Sequence, residues 1–130
     1  MMKKFLLPCL ILLFALVLTA CGSSAAPTAQ ANPEAAIKME TNPNPAATGS
    51  VELSFTITDK NGSPLEGATV DVMADHPSMS GMGMNGAATE MGGGKYAIKA
   101  DFSDSGTWKI TVTVKKGNLN VKQDFELEVK

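Results

Sequence analysis

From residue 37 to residue 129 the chain repeats one pattern: apolar and polar residues alternate in short runs separated by turn-forming residues. In VELSFTIT, Val51, Leu53, Phe55 and Ile57 alternate with Glu52, Ser54, Thr56 and Thr58. A period of two sends successive side chains to opposite faces of an extended strand, so this run buries one face and wets the other. The period recurs at Ala68, Val70, Val72 and Ala74, then at Tyr96, Ile98, Ala100 and Phe102. It returns at Trp108, Ile110, Val112 and Val114, and closes at Leu119, Val121, Phe125, Leu127 and Val129. Residues 37–41 supply a first strand. The connectors DKNGSPLEGA, SDSG and Gly117-Asn118 are rich in turn formers, and no stretch carries a helical period. Six to seven short strands predict an all-β fold, an immunoglobulin-like antiparallel β-sandwich over residues 36–130.

What precedes the sandwich reads as targeting. Lys3 and Lys4 lead an apolar stretch over residues 5–18, interrupted by Pro8 and Cys9 and too short for a comfortable membrane span. It ends Leu18-Thr19-Ala20-Cys21, which resembles the lipobox of bacterial lipoproteins, where the cysteine is lipidated and becomes the first residue of the mature chain. On that reading residues 1–20 are a signal peptide and Cys21 is the lipid anchor. Residues 21–35 are then the lipidated tether, whose small, polar and Pro-containing residues 22–35 reach at most about 45 Å at ~3.3 Å per residue. Localisation is expected to be extracytoplasmic and membrane-anchored. Gly22 leaves both the outer face of a single membrane and an outer membrane open.

Removing Lys3 and Lys4 with the signal leaves 9 basic residues against 13 acidic ones, a formal charge of −4. Neither nucleic acid nor an anionic lipid surface attracts such a protein without a basic patch, and none is visible. The mature chain keeps no cysteine but Cys21, so no intramolecular disulfide staples it. The hydrophobic core must hold the fold alone.

One segment departs from the strand pattern. HPSMSGMGMNGAATEM, residues 76–91, holds the chain's single histidine and four of its eight methionines. Thioether sulfur is soft, uncharged and carries no proton, so it suits Cu(I) and serves Mg²⁺ or Ca²⁺ poorly. His76, Met79, Met82, Met84 and Met91 therefore form a candidate N/S ligand set, and Gly81, Gly83 and Gly86 let the backbone curl so that sulfurs converge. A structural zinc site fits less well, because it wants four Cys or His ligands. The competing reading is a loop whose methionines lean on the domain or on a partner, since methionine adapts to irregular surfaces. Met39 and Met73 read as framework, and Trp108, in the buried register, reads as core.

The order of motifs carries a resemblance. Asp59, Gly62, Pro64, Leu65, Gly67 and Ala68 after a strand, the Met-rich loop, Gly94-x-Tyr96, and Gly106-Thr107-Trp108 before a valine-rich strand resemble the YtkA-like family of small extracytoplasmic immunoglobulin-like domains. The resemblance covers roughly residues 36–114. It implies the sandwich, and a link to copper handling and respiratory-oxidase assembly.

Other chemistries find little support. Gly81 to Gly86 matches G-x-G-x-x-G, yet the chain runs on into Gly92-Gly93-Gly94 and another strand where a dinucleotide site needs a helix. There is no nucleophile elbow, and His76 has no evident Ser or Cys partner, so the chain is expected to be a non-enzyme. Two readings stand. One is a lipid-anchored protein that holds or delivers Cu(I) through the Met/His loop, with a copper-receiving protein as partner. The other is an immunoglobulin-like interaction module of a membrane-associated complex, with the loop as contact surface.

Overall fold

The computed structural model describes residues 34–78, 81 and 83–130; the signal, Cys21 and most of the tether lie outside the described residues, as do Met79 and Met82. Eight strands follow in order: β1 (Ala35–Asn42), β2 (Gly49–Asp59), β3 (Thr69–Asp75), β4 (Gly83–Ala87), β5 (Thr89–Gly92), β6 (Lys95–Phe102), β7 (Gly106–Lys116) and β8 (Leu119–Val129). They form two four-stranded sheets, ordered β1-β2-β6-β5 and β4-β3-β7-β8, with every pairing antiparallel. Across the sandwich β1 faces β8 and β4 faces β6. The architecture is the all-β sandwich that the alternation implies.

The inward faces are the alternating apolar sets. Val51, Leu53, Phe55 and Ile57 are fully buried, as are Ile110, Val112, Val114 and Val121. Each such side chain contributes about 1.5–3 kcal/mol by leaving water. Gln123 interrupts the set on β8: it lies in the buried register, and among the described residues its Oε1 has no hydrogen-bond partner.

The connector after β2 is fixed by its motif residues. Asp59 Oδ1 accepts the backbone N–H groups of Asn61 (2.8 Å) and Ser63 (3.0 Å), which closes the turn at Gly62. Further along, the Tyr96 hydroxyl donates to the Leu65 carbonyl (2.8 Å) and accepts from the Ala68 N–H (3.1 Å), so the connector is tied to β6. Gly94 precedes Tyr96 with φ +76°, and a Cβ there would stand 2.7 Å from the Ile57 carbonyl oxygen. Both the left-handed backbone and the close approach demand glycine.

The strand count differs from six or seven because residues 83–92 are not a loop. They form β4 on one sheet and β5 on the other, and the chain changes sheets at Ala88, whose N–H donates to the Val70 carbonyl (2.8 Å). Two glycines make β4 possible where propensity opposes it. A Cβ at Gly86 would stand 2.8 Å from Ile98 Cδ1, and one at Gly83 would stand 2.7 Å from Asp75 Oδ1. The neighbours' side chains occupy the space that the glycines leave.

Candidate metal site

His76 follows β3 in the inward register set by Val70, Val72 and Ala74, and it is 9% exposed. Its ring meets the Trp108 indole edge-on, with centroids 5.0 Å apart, and Trp108 meets Phe102 in the same way at 5.0 Å. Trp108 is core, as its register implies, and its Nε1–H donates to the Asp104 carbonyl at 3.0 Å.

Both imidazole nitrogens have neighbours. The Ser78 N–H points at Nδ1 (3.2 Å), which must accept. In the neutral ring the proton then sits on Nε2, which faces the Ser105 carbonyl at 3.4 Å. His76 thus joins the start of the Met-rich segment to the β6–β7 turn. Gly106 makes room for it: φ is +128°, and a Cβ there would stand 2.9 Å from His76 Nε2. A metal can take Nδ1 only by displacing the Ser78 amide. The sequence signals Ser105 and Gly106 only as parts of a turn, because the contact is made by backbone atoms.

Met84 is the sulfur donor that the structure brings toward His76. It lies on β4 opposite Ala74, half-buried against the core. Ala74 and His76 share the inward face, so Met84 and His76 are diagonal neighbours, with Cα atoms about 7–8 Å apart for such a pair. Met84 also lines a cleft of about 200 Å³ between β4 and β6, with Leu53, Val72, Ala74, Ile98 and Ala100.

Met91 is elsewhere. It lies at the irregularity in β5 between Glu90, paired with Tyr96, and Gly92, paired with Lys95. Phe102, which shares the ring row with Trp108 and His76, is six residues further along β6, about 20 Å at 3.3–3.4 Å per residue. The sheet change at Ala88 therefore carries Met91 toward the other end of the sandwich from His76, where it is 67% exposed. Met73 is 46% exposed on the outward face of β3, and Met39 is buried opposite Phe55. Among the described residues no three His, Cys, Asp or Glu side chains gather where they could hold a metal ion. The G-x-G-x-x-G match runs into β4 and then β5, so Gly86 opens no helix.

Comparison with known proteins places this geometry in context. The chain superposes on the crystal structure of the PmoD soluble domain from Methylocystis sp. ATCC 49242 (Rockwell) with a TM-score of 0.52. The two share 13% sequence identity, and the superposition covers 78% of this chain and 96% of that one. At that identity the likeness concerns the fold alone. No curated protein matches the sequence. A family model described as YtkA-like matches residues 29–113, the span that holds the Asp59 turn, the Tyr96 tie and the His76–Trp108 contact, and the chain belongs to the YtkA-like family.

Proposed function

We propose that this chain is a lipid-anchored extracytoplasmic protein that binds Cu(I) through His76, Met79, Met82 and Met84, and holds or delivers it for copper homeostasis or respiratory-oxidase assembly. One observation carries the reading: the β3–β4 hairpin sets His76 and Met84 on one inward face, and the chain joining them contains Met79 and Met82. Soft thioethers with at most one imidazole suit Cu(I) over harder ions. Met91 has no part in this site. The protein binds and does not catalyse, and the lipid on Cys21 keeps it at the membrane. One observation favours the second reading, an interaction module: both His76 nitrogens are engaged within the fold.

Competition between the purified protein and a Cu(I) chelator tests the proposal. About one Cu(I) per chain is expected. A Met79→Leu, Met82→Leu, Met84→Leu variant keeps the apolar volume nearly constant, so its folding should change little while copper affinity falls at least about tenfold. A triple variant that holds copper as tightly as the wild type overturns the reading in favour of the interaction module. Met91→Leu should leave affinity unchanged.

A further inference from the structure

The sheet change at Ala88 leaves part of β6 without a strand beside it. β5 pairs with β6 only between Lys95 and Ala97, whereas β2 pairs with β6 up to Phe102. Among the described residues, residues 98–102 thus have a strand partner on one side only. An extended antiparallel strand exposes backbone N–H and C=O groups on its open side, at alternate residues. Proteins blunt such edges with proline, bulges or charged side chains; this stretch has no proline and keeps a regular register with β2, and its charges, Lys99 and Asp101, restrict which strand can add to it.

Behind the open edge lies the cleft of about 200 Å³, lined by apolar side chains such as Val72, Met84 and Ile98 and also by Asn85, Lys99 and Asp101. A cavity of about 150 Å³ already holds a benzene-sized group, so this cleft is large enough for a leucine-sized side chain. On the outward face Lys99 and Asp101 are exposed, and neither belongs to an ion pair among the described residues. On β2, Lys99 stands opposite Glu52 and Asp101 opposite Ser50, so Asp101 is the charge that meets no opposite charge there.

We infer that residues 98–102 of β6 accept an extended segment of a partner protein as an added strand, in line with β5 and antiparallel to β6. The charges specify its sequence. Residues directly opposite in an antiparallel pair point to the same face. The segment therefore reads, from its N-terminus, basic opposite Asp101, apolar opposite Ala100, acidic opposite Lys99 and apolar opposite Ile98. The backbone supplies affinity, the cleft takes the apolar side chain opposite Ala100, and the two charges set register and direction. This surface uses no copper ligand but Met84, and its strand pairing does not depend on metal.

Titration of the isotopically labelled full-length protein in detergent micelles with a synthetic peptide tests the inference. The probe is Leu-Lys-Leu-Glu-Leu with Gly-Ser flanks, and the control is its charge reversal, Leu-Glu-Leu-Lys-Leu. The amide signals of residues 98–102 should shift, and the first peptide should bind roughly tenfold tighter than the second. A Lys99→Glu, Asp101→Lys variant should reverse that preference, and its unchanged signals elsewhere report an intact fold. Absence of shifts in residues 98–102, or equal affinity for both peptides, overturns the inference. So does concentration-dependent dimerisation that protects these amides without peptide, because the occupant is then a second copy of this chain.

Discussion

Replacing His76 by alanine should cost stability, and the size of the cost follows from its surroundings. The edge-on contact with Trp108 is worth about 0.5–1.5 kcal/mol beyond area burial. The contacts to Ser78 N–H (3.2 Å) and Ser105 O (3.4 Å) are long, so each falls near the lower end of the range, about 0.5 kcal/mol. Emptying a buried ring site adds about 1 kcal/mol for lost packing. His76→Ala should therefore lose about 2.5–3.5 kcal/mol, a large share of the 5–15 kcal/mol that holds a typical domain. Urea unfolding followed by tryptophan fluorescence measures this directly, because Trp108 is the chain's one tryptophan and touches the deleted ring. With a slope of about 1.5 kcal/mol/M, the midpoint should fall by about 2 M. His76→Phe keeps a ring against Trp108 but forfeits both polar contacts, so it should recover about half the loss. A cost under about 0.5 kcal/mol for alanine, or no recovery with phenylalanine, would refute the account of His76 as the link between β3 and the β6–β7 turn. His76→Phe is accordingly the better variant for copper titrations, since a weakened His76→Ala protein confounds ligand loss with unfolding.

Two further outcomes concern the anchor and the outer face. Wild-type protein expressed in a bacterial host should partition into the detergent phase, whereas Cys21→Ser should remain unlipidated; equal partitioning of the two removes the lipobox reading. Asp124 accepts a hydrogen bond from the Thr111 hydroxyl (2.7 Å), which holds its carboxyl below its ordinary 3.8; Lys109 assists, and burial opposes. A carboxyl lowered in the folded state stabilises at pH above its unfolded value, and that contribution is lost as pH falls through the folded value. Thr111→Val should therefore flatten the decline in urea midpoint between about pH 5 and pH 2, and an unchanged slope would show that this bond does not set the acid limb.

Strands whose inward positions carry large side chains were legible because burial and the period of two select the same residues. β2 and β7 show this, from Val51 to Ile57 and from Trp108 to Val114. β4 was not legible, for a physical reason: of its two inward residues, Met84 and Gly86, one has no side chain. The inward space at Gly86 is filled by Ile98 from the facing sheet, and Asp75 folds over Gly83. Propensity and local pattern describe a residue's own side chain, whereas β4 is specified by the side chains of its neighbours. The connector after β2 lies between these cases. Its turn residues were plain, but the Tyr96 hydroxyl that ties it down acts across a separation of about thirty residues and leaves only an isolated tyrosine in the sequence.

The same distinction divides the five candidate ligands. Composition counts donors, and the segment from residue 76 to residue 91 counts as one cluster. Topology sorts them. A seven-residue connection between paired Asp75 and Gly83 keeps its ends together, so His76 and Met84 fall on the same face of the same sheet. Seven residues beyond Met84 the chain has crossed to the other sheet and runs along the far half of β6, so Met91 is separated from His76 by most of a strand length. Sequence proximity misleads here because an extended chain gains about 3.3 Å with each residue, and a sheet change commits that distance to one direction. The signal in the sequence that separates Met91 is Ala88-Thr89, where a small residue ends one alternating run and a β-branched residue begins the next. It is a weak signal because the crossing is made by one backbone hydrogen bond, from Ala88 to Val70, which requires no particular side chain.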